Sequence, residues 1–230
     1  MTVGPSTRLV GLLGHPVAHS LSPRLQNAAF AACGLDLHYV ALDVPPERLD
    51  DAVRGLVALG FAGANVTAPH KLAVAALDLV ETDLQSVNTL VLRDGRVEGH
   101  STDTAILAGL PAQRAAILGD GGSARAFRAA LPQARVFSRR GAWPPQPGDA
   151  DLVINATSVR DEVVVALAPG QTLVDLPYPE TATAAAARAA GARVVTGLDV
   201  LVAQGATAFE LWTGLPAPVS VMRAAVDLSA

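Results

Sequence analysis

Residues 115–124 read Ala-Ala-Ile-Leu-Gly-Asp-Gly-Gly-Ser-Ala: a short apolar run, a glycine turn and the opening of a helix. Gly119, Gly121 and Ala124 fall on a G-x-G-x-x-A spacing. Between a strand and a helix that spacing has a physical reason. The first glycine makes the tight turn, the second lets a pyrophosphate approach backbone N–H groups, and the small third residue packs helix on strand. The stretch therefore predicts a Rossmann-like dinucleotide unit, with Gly119, Gly121, Gly122, Ser123 and Ala124 at the cofactor.

The next strand, expected at Arg135–Ser138, refines the cofactor. An NAD site usually carries Asp or Glu about 20 residues on, to bond the ribose 2′-hydroxyl. Ser138-Arg139-Arg140 stands there instead. Two guanidiniums suit a 2′-phosphate, so NADP is the expected cofactor. Further strands are predicted at Leu152–Asn155, Thr172–Asp175 and Arg193–Thr196, and an alanine-rich helix at Thr181–Ala190. Trp143-Pro144-Pro145-Gln146-Pro147-Gly148 must be a loop.

Upstream of the glycine turn, short apolar runs alternate with helical stretches, the pattern of βα units and a mainly parallel sheet. Strands are expected at Arg8–Gly14, Tyr39–Val44 and Phe61–Val66. Helices are expected at Pro23–Cys33, with Ser22 as N-cap, at Pro46–Leu59 and at Lys71–Leu79. Val87–Leu92 and Val97–Gly99 form a hairpin around Asp94-Gly95. A helix is expected near Thr104–Gly109, and the last thirty residues read as helices. The economical fold is α/β in two lobes: residues 1–102 plus 200–230 as a substrate-binding and catalytic domain, and 103–199 as the dinucleotide domain, the C-terminal helices returning to the first lobe.

Composition narrows the function classes. The 230 residues carry a net charge of −4 and show no basic face for nucleic acid. No apolar run approaches the ~18 residues of a membrane span, and the N-terminus lacks a secretory signal. A soluble cytoplasmic protein, monomeric or homodimeric, without membrane or nucleic-acid partners, is expected. The single cysteine, Cys33, excludes an internal disulfide and is expected as a small buried residue on a helix. The histidines lack ligand spacing, so no metal is expected. Of 17 cationic residues only Lys71 is lysine. A bias toward arginine acts least where arginine cannot substitute, and lysine, unlike arginine, can give up a proton.

Four polar clusters end elements of the first lobe: Ser20-Leu21-Ser22, Asn65-Val66-Thr67-Ala68-Pro69-His70-Lys71, Val87-Asn88-Thr89 and Ser101-Thr102-Asp103. Singly, each has a plain reading: Ser22 a helix cap, Asn65 and Thr67 turn residues, Asp103 the N-cap of the next helix. In order, with the glycine loop, Asn155-Ala156-Thr157-Ser158, Asp175 to Tyr178 and Gly197 to Gln204, they resemble the shikimate dehydrogenase family. That resemblance implies reversible NADPH-dependent reduction of 3-dehydroshikimate to shikimate, in chorismate and aromatic amino-acid biosynthesis. It implies that Lys71 and Asp103 are the catalytic pair. Ser20 and Ser22 would hold the substrate carboxylate, with Tyr178 nearby, and Thr67, Asn88 and Gln204 its hydroxyls. Gly119, Gly121, Gly122 and Arg139 would hold the cofactor, with Ser138, Arg140 and Gly197 beside it and Thr157 and Ser158 lining the nicotinamide. His70 receives no role and is expected as a wall or surface residue. The alternatives are a quinate or amino-shikimate dehydrogenase, or a non-catalytic NADP or shikimate sensor.

The chain departs from the family pattern in places. It is shorter than usual members, and the deficit falls in the second lobe, where little room remains for a helix between Arg140 and Asp151. Ser101 stands for the usual asparagine, Ile106 for a glycine, and Val200 for a methionine.

Overall fold

The computed structural model describes residues 3–227 and divides into two units. The first takes the described residues through Thr102 together with those from Val202 onward; the second is Asp103–Leu201. The outermost residues of the expected first domain, 1–2 and 228–230, lie outside the described residues.

The first unit is built on a six-stranded sheet. Its strands are β1 (Arg8–Gly14), β2 (Leu37–Asp43), β3 (Gly63–Val66), β4 (Val80–Glu81), β5 (Thr89–Arg93) and β6 (Arg96–His100), in the order β2-β1-β3-β5-β6-β4. β1 pairs in parallel with β2 and β3, while β5 runs antiparallel to both β3 and β6. The sheet is thus mixed. The reversal follows from the Asp94-Gly95 turn, where both residues take positive φ (52° and 78°), the two-residue geometry that matches strand twist. Strand β4, which pairs in parallel with β6, was not expected.

Helices α1 (Ser22–Ala32), α2 (Leu49–Ala58) and the short α3 (Lys71–Ala75) connect these strands. Ser22 is not the N-cap of α1. It lies inside the first turn with Leu21 before it, and its N–H donates to Ser20 Oγ at 3.2 Å. Ser20, two residues ahead, thus supplies the acceptor expected of Ser22. α3 ends at Ala75, before the expected Leu79, because the chain turns there into β4. Cys33 follows α1 as its C-cap and is only partly buried.

The second unit holds a fully parallel five-stranded sheet, β7 (Ala115–Leu118), β8 (Arg135–Phe137), β9 (Leu152–Asn155), β10 (Thr172–Asp175) and β11 (Arg193–Val195), in the order β11-β10-β9-β7-β8. All of β7, β9 and β10 is buried, as an apolar run in a parallel sheet requires. Helix α4 (Gly122–Ala130) covers one face, where Phe127 packs with Ile117, Ile154 and Val174. The helix expected near Thr104 is a 3₁₀ segment, Asp103–Leu107, that begins on Asp103.

Neither the β8–β9 nor the β9–β10 crossover contains a helix. The sheet's other face is covered by α5 (Ala182–Ala189) and by an extended strap in which Val165 and Leu167 are buried against Val153 and Leu173. One hydroxyl of α5 bonds the strap twice: Val164 N–H donates to Thr183 Oγ1 at 3.0 Å, and that hydroxyl donates to Glu162 O at 3.3 Å. Helix α6 (Gly197–Thr213) and then α7 (Val219–Val226) follow. In the first unit α7 packs on α1, and Phe30 of α1 stacks on Phe209 of α6 with ring centres 5.7 Å apart. Among the described residues no helix is long and apolar enough to cross a membrane.

Candidate functional site

In the first unit the candidate residues gather at the carboxyl ends of β1 and β3 and the start of β5. Thr67 follows β3, its N–H donating to Leu13 O at 2.8 Å, and His70 N–H donates to Thr67 O at 2.9 Å. Lys71 opens α3, and its carbonyl accepts from Val87 N–H at 3.0 Å. The turn from Thr67 to Lys71 is therefore pinned both to β1 and to the segment that carries Asn88.

His70 proves to be neither wall nor surface residue. It is 1% exposed, and its Nε2 lies 2.7 Å from Val44 O. A carbonyl only accepts, so Nε2 carries the proton and donates. The imidazole anchors the base of Lys71 to the end of β2, which leaves a half-buried lysine side chain on a fixed backbone.

Beneath these residues runs a buried polar network that individual motif readings missed. Tyr39 OH donates to Asn65 Oδ1 at 2.8 Å, and Asn65 Nδ2 donates to Thr89 Oγ1 at 3.0 Å and Asn88 O at 3.2 Å. Asn88 in turn clasps Thr102: Thr102 N–H donates to Asn88 Oδ1 at 2.7 Å, and Asn88 Nδ2 donates to Thr102 Oγ1 at 3.0 Å. Asn65 is thus a buried hub, 4% exposed, rather than a turn residue. A network of this kind polarises its members and admits one arrangement. The sequence signal for it was the adjacency of small amides and hydroxyls to buried strand residues. Ser20 and Ser22 sit together at the start of α1, and Gln26 of that helix donates to Gly205 O at 2.9 Å. That bond holds the segment of α6 carrying Gln204 beside α1.

In the second unit the glycine loop joins β7 to α4. Gly119 has φ +118°, open to glycine alone, and a Cβ there would meet Ala156 O at 2.9 Å. Gly121 is the extended N-cap of α4 and supplies no side-chain cap; a Cβ on it would stand in open space. The start of a nine-residue helix is thus unobstructed at Gly121, which suits a phosphate at its first-turn amides, and the residues fit a dinucleotide. Ser138, Arg139 and Arg140 follow β8 in a turn closed by Gly141 N–H donating to Ser138 O at 2.9 Å. Arg140 pairs with Asp120 of the glycine loop at 3.6 Å, while Arg139 lies over the Trp143 ring.

Thr157 is oriented from below. Its Oγ1 donates to Asn155 Oδ1 at 2.7 Å, and Asn155 Nδ2 donates to Asp175 Oδ1 at 2.7 Å. Thr181 Oγ1 donates to the second carboxylate oxygen, also at 2.7 Å. Ser158 and Tyr178 follow β9 and β10, at the same end of this sheet as the glycine loop. Gly197 is buried, and a Cβ on it would collide with Pro177 O and, at 2.6 Å, with Leu176 O. Packing alone demands glycine there, a reason separate from any contact with cofactor.

Burial pushes the Asp175 carboxyl above its ordinary value of 3.8, against the lowering effect of its bonds from Thr181 and Asn155. The folded unit therefore holds this proton more tightly than the unfolded chain does. The contribution of Asp175 to stability is fullest in acid and is lost as pH rises from about 4 through its raised pKa. Asp175→Asn cannot ionise, so its stability relative to wild type should improve as pH rises from about 4 through the raised pKa of Asp175. Urea midpoints of the two proteins across that range measure it; parallel curves would exclude an ionising Asp175.

Comparison with known proteins places these features. Residues 12–90 match the model of the shikimate dehydrogenase substrate binding domain, and residues 197–226 that of the shikimate 5′-dehydrogenase C-terminal domain. The NADP(+) shikimate dehydrogenase of Moorella thermoacetica is 45% identical, covering 96% of this chain and 92% of the relative. That alignment runs over 273 positions against this chain's 230 residues, so the relative carries residues that are lacking here. The crystal structure of shikimate dehydrogenase from Aquifex aeolicus superposes with TM-score 0.88 at 31% identity, over 98% of this chain and 100% of that one. The Thermus thermophilus enzyme in complex with NADP(H) and shikimate superposes with TM-score 0.81 at 34% identity, over 95% and 98%.

Proposed function

The chain belongs to the shikimate dehydrogenase family, and from that premise we propose that it catalyses the reversible reduction of 3-dehydroshikimate to shikimate with NADPH. The observation that carries this reading is the Thr67–Lys71 turn. It offers one lysine on an anchored backbone, beside a buried amide–hydroxyl network whose last member, Thr102, adjoins Asp103.

Bound NADPH supplies the hydride; the remaining tasks fall to the chain. Ser20 and Ser22 hydrogen-bond the ring carboxylate, and Thr67, Asn88 and Gln204 bond the hydroxyls. Each polar group of a polyhydroxylated ring acid needs such a partner once it leaves water. As the carbonyl carbon gains hydride, its oxygen takes up the electron pair as a developing alkoxide. The Lys71 ammonium stabilises that charge and donates the proton that makes the hydroxyl; in the reverse direction it takes the proton back. By resemblance to the family, Asp103 is the second member of the catalytic pair.

On the cofactor side, the first-turn amides of α4 receive the pyrophosphate, Arg139 the 2′-phosphate, and Thr157 and Ser158 the nicotinamide edge. The fixed turn of Gly119 and the open space at Gly121 support this assignment.

Initial rates of NADP+ reduction by the purified full chain test the reading. Shikimate should be oxidised with NADP+ preferred to NAD+, and quinate should be a poorer substrate. Absence of turnover with shikimate would overturn the assignment. Faster turnover of quinate would move it to that neighbouring substrate.

A further inference from the structure

The turn after β8 is followed by the loop that replaces a crossover helix, and the first large side chain in that loop is Trp143. The Arg139 guanidinium carbon lies 5.8 Å from the centre of the Trp143 ring, within cation–π range. Arg140, by contrast, is paired with Asp120 across an exposed gap of 3.6 Å. Of the two adjacent arginines, Arg139 is committed to no carboxylate among the described residues, so its charge is the one of the pair left for an anion.

The loop itself is firmly held. Pro144 and Pro145 follow the indole directly, and both Pro145 and Pro147 are buried. The Arg135 guanidinium donates to Pro147 O, and Gln171 Nε2 donates to Gly148 O at 3.2 Å and Ala150 O at 2.6 Å. Trp143 is therefore a half-buried ring on a stapled segment, not a side chain on a free one.

Stacking and hydrogen bonding use different parts of a guanidinium. The face meets the ring, while the edge keeps its N–H donors for the bidentate bonds that a phosphate accepts. An acidic partner would have consumed those donors; an indole orders the side chain and leaves them free. We propose that Trp143 is a specificity residue for the cofactor's 2′-phosphate, because its ring lies within cation–π range of Arg139, the guanidinium assigned to that group. The proposal rests on the NADP reading above and deepens it. Trp143 is a positioning residue in this scheme, since it acts through Arg139.

Calorimetric titration of the full chain with adenosine 2′,5′-bisphosphate and with 5′-AMP tests it, because the two probes differ by the 2′-phosphate and neither requires turnover. Wild type should prefer the bisphosphate. Trp143→Leu, which keeps bulk but removes the π-face, should weaken the bisphosphate by about two- to fivefold and leave 5′-AMP unchanged. Trp143→Phe should recover most of the loss, and Arg139→Ala should abolish the preference. An unchanged ratio in Trp143→Leu, or equal weakening of both probes, overturns the proposal while leaving the cofactor assignment standing. If wild type itself shows no preference for the bisphosphate, both fall together.

Discussion

Lys71→Arg should lose turnover by roughly 10²- to 10⁴-fold, the range for removal of a positioned acid–base group, with the KM for shikimate changed little. The substitution keeps the positive charge, so attraction to the ring hydroxyls and the fold of α3 both persist. What it removes is a transferable proton, because a guanidinium stays protonated where an ammonium can release its proton. Its planar fork is also larger than an ammonium and cannot occupy the same point beside a developing alkoxide. Steady-state kinetics with NADP+ and shikimate measure the split, and an unchanged melting temperature establishes that the fold survives. A kcat near that of wild type would remove Lys71 from the proton transfer.

The second large effect is on stability. Gly197→Ala places a Cβ against the backbone carbonyls of Leu176 and Pro177. A flexible side chain could give way, but these oxygens belong to the segment leaving β10 and cannot move without shifting the sheet. Overpacking of this kind costs about 3 kcal/mol, roughly a 10 °C or larger fall in melting temperature for a unit of this size. The fall should appear in the protein without nucleotide. A normal melting temperature combined with weaker NADP+ binding would instead make Gly197 a contact of the cofactor.

Most of the fold was legible because its signals are local. The glycine loop, the Asp94-Gly95 turn and the apolar runs at Leu152–Asn155 and Thr172–Asp175 each state an element within a few residues. What was not legible depends on partners distant in sequence. Strand β4 is two residues long and exists because β6 lies beside it. Ser22 has a cap-forming side chain, yet the helix begins on it and Ser20 supplies the acceptor, against the preference of Pro23 for the first helical position. His70 reads as a polar residue in a turn, and only the approach of Val44 shows why it is buried. The candidate site divides the same way. Ser20, Thr67, Lys71, Asn88 and Asp103 announce themselves as small polar clusters at element ends. Tyr39, Asn65 and Thr102, which hold the site from beneath, do so through bonds that span 13 to 26 positions of sequence.

The strap that stands in for a helix on the second sheet has a consequence for how such proteins vary in length. The groups proposed to meet the nucleotide project from the carboxyl ends of β7, β8 and β9, and their spacing is dictated by hydrogen-bond register between neighbouring strands. The path taken from one strand to the next has no part in that spacing, provided something apolar closes the face it crosses. Crossover length is therefore a free variable in this architecture: whole helices can be gained or shed by insertion and deletion while the ligand-facing rim keeps its dimensions.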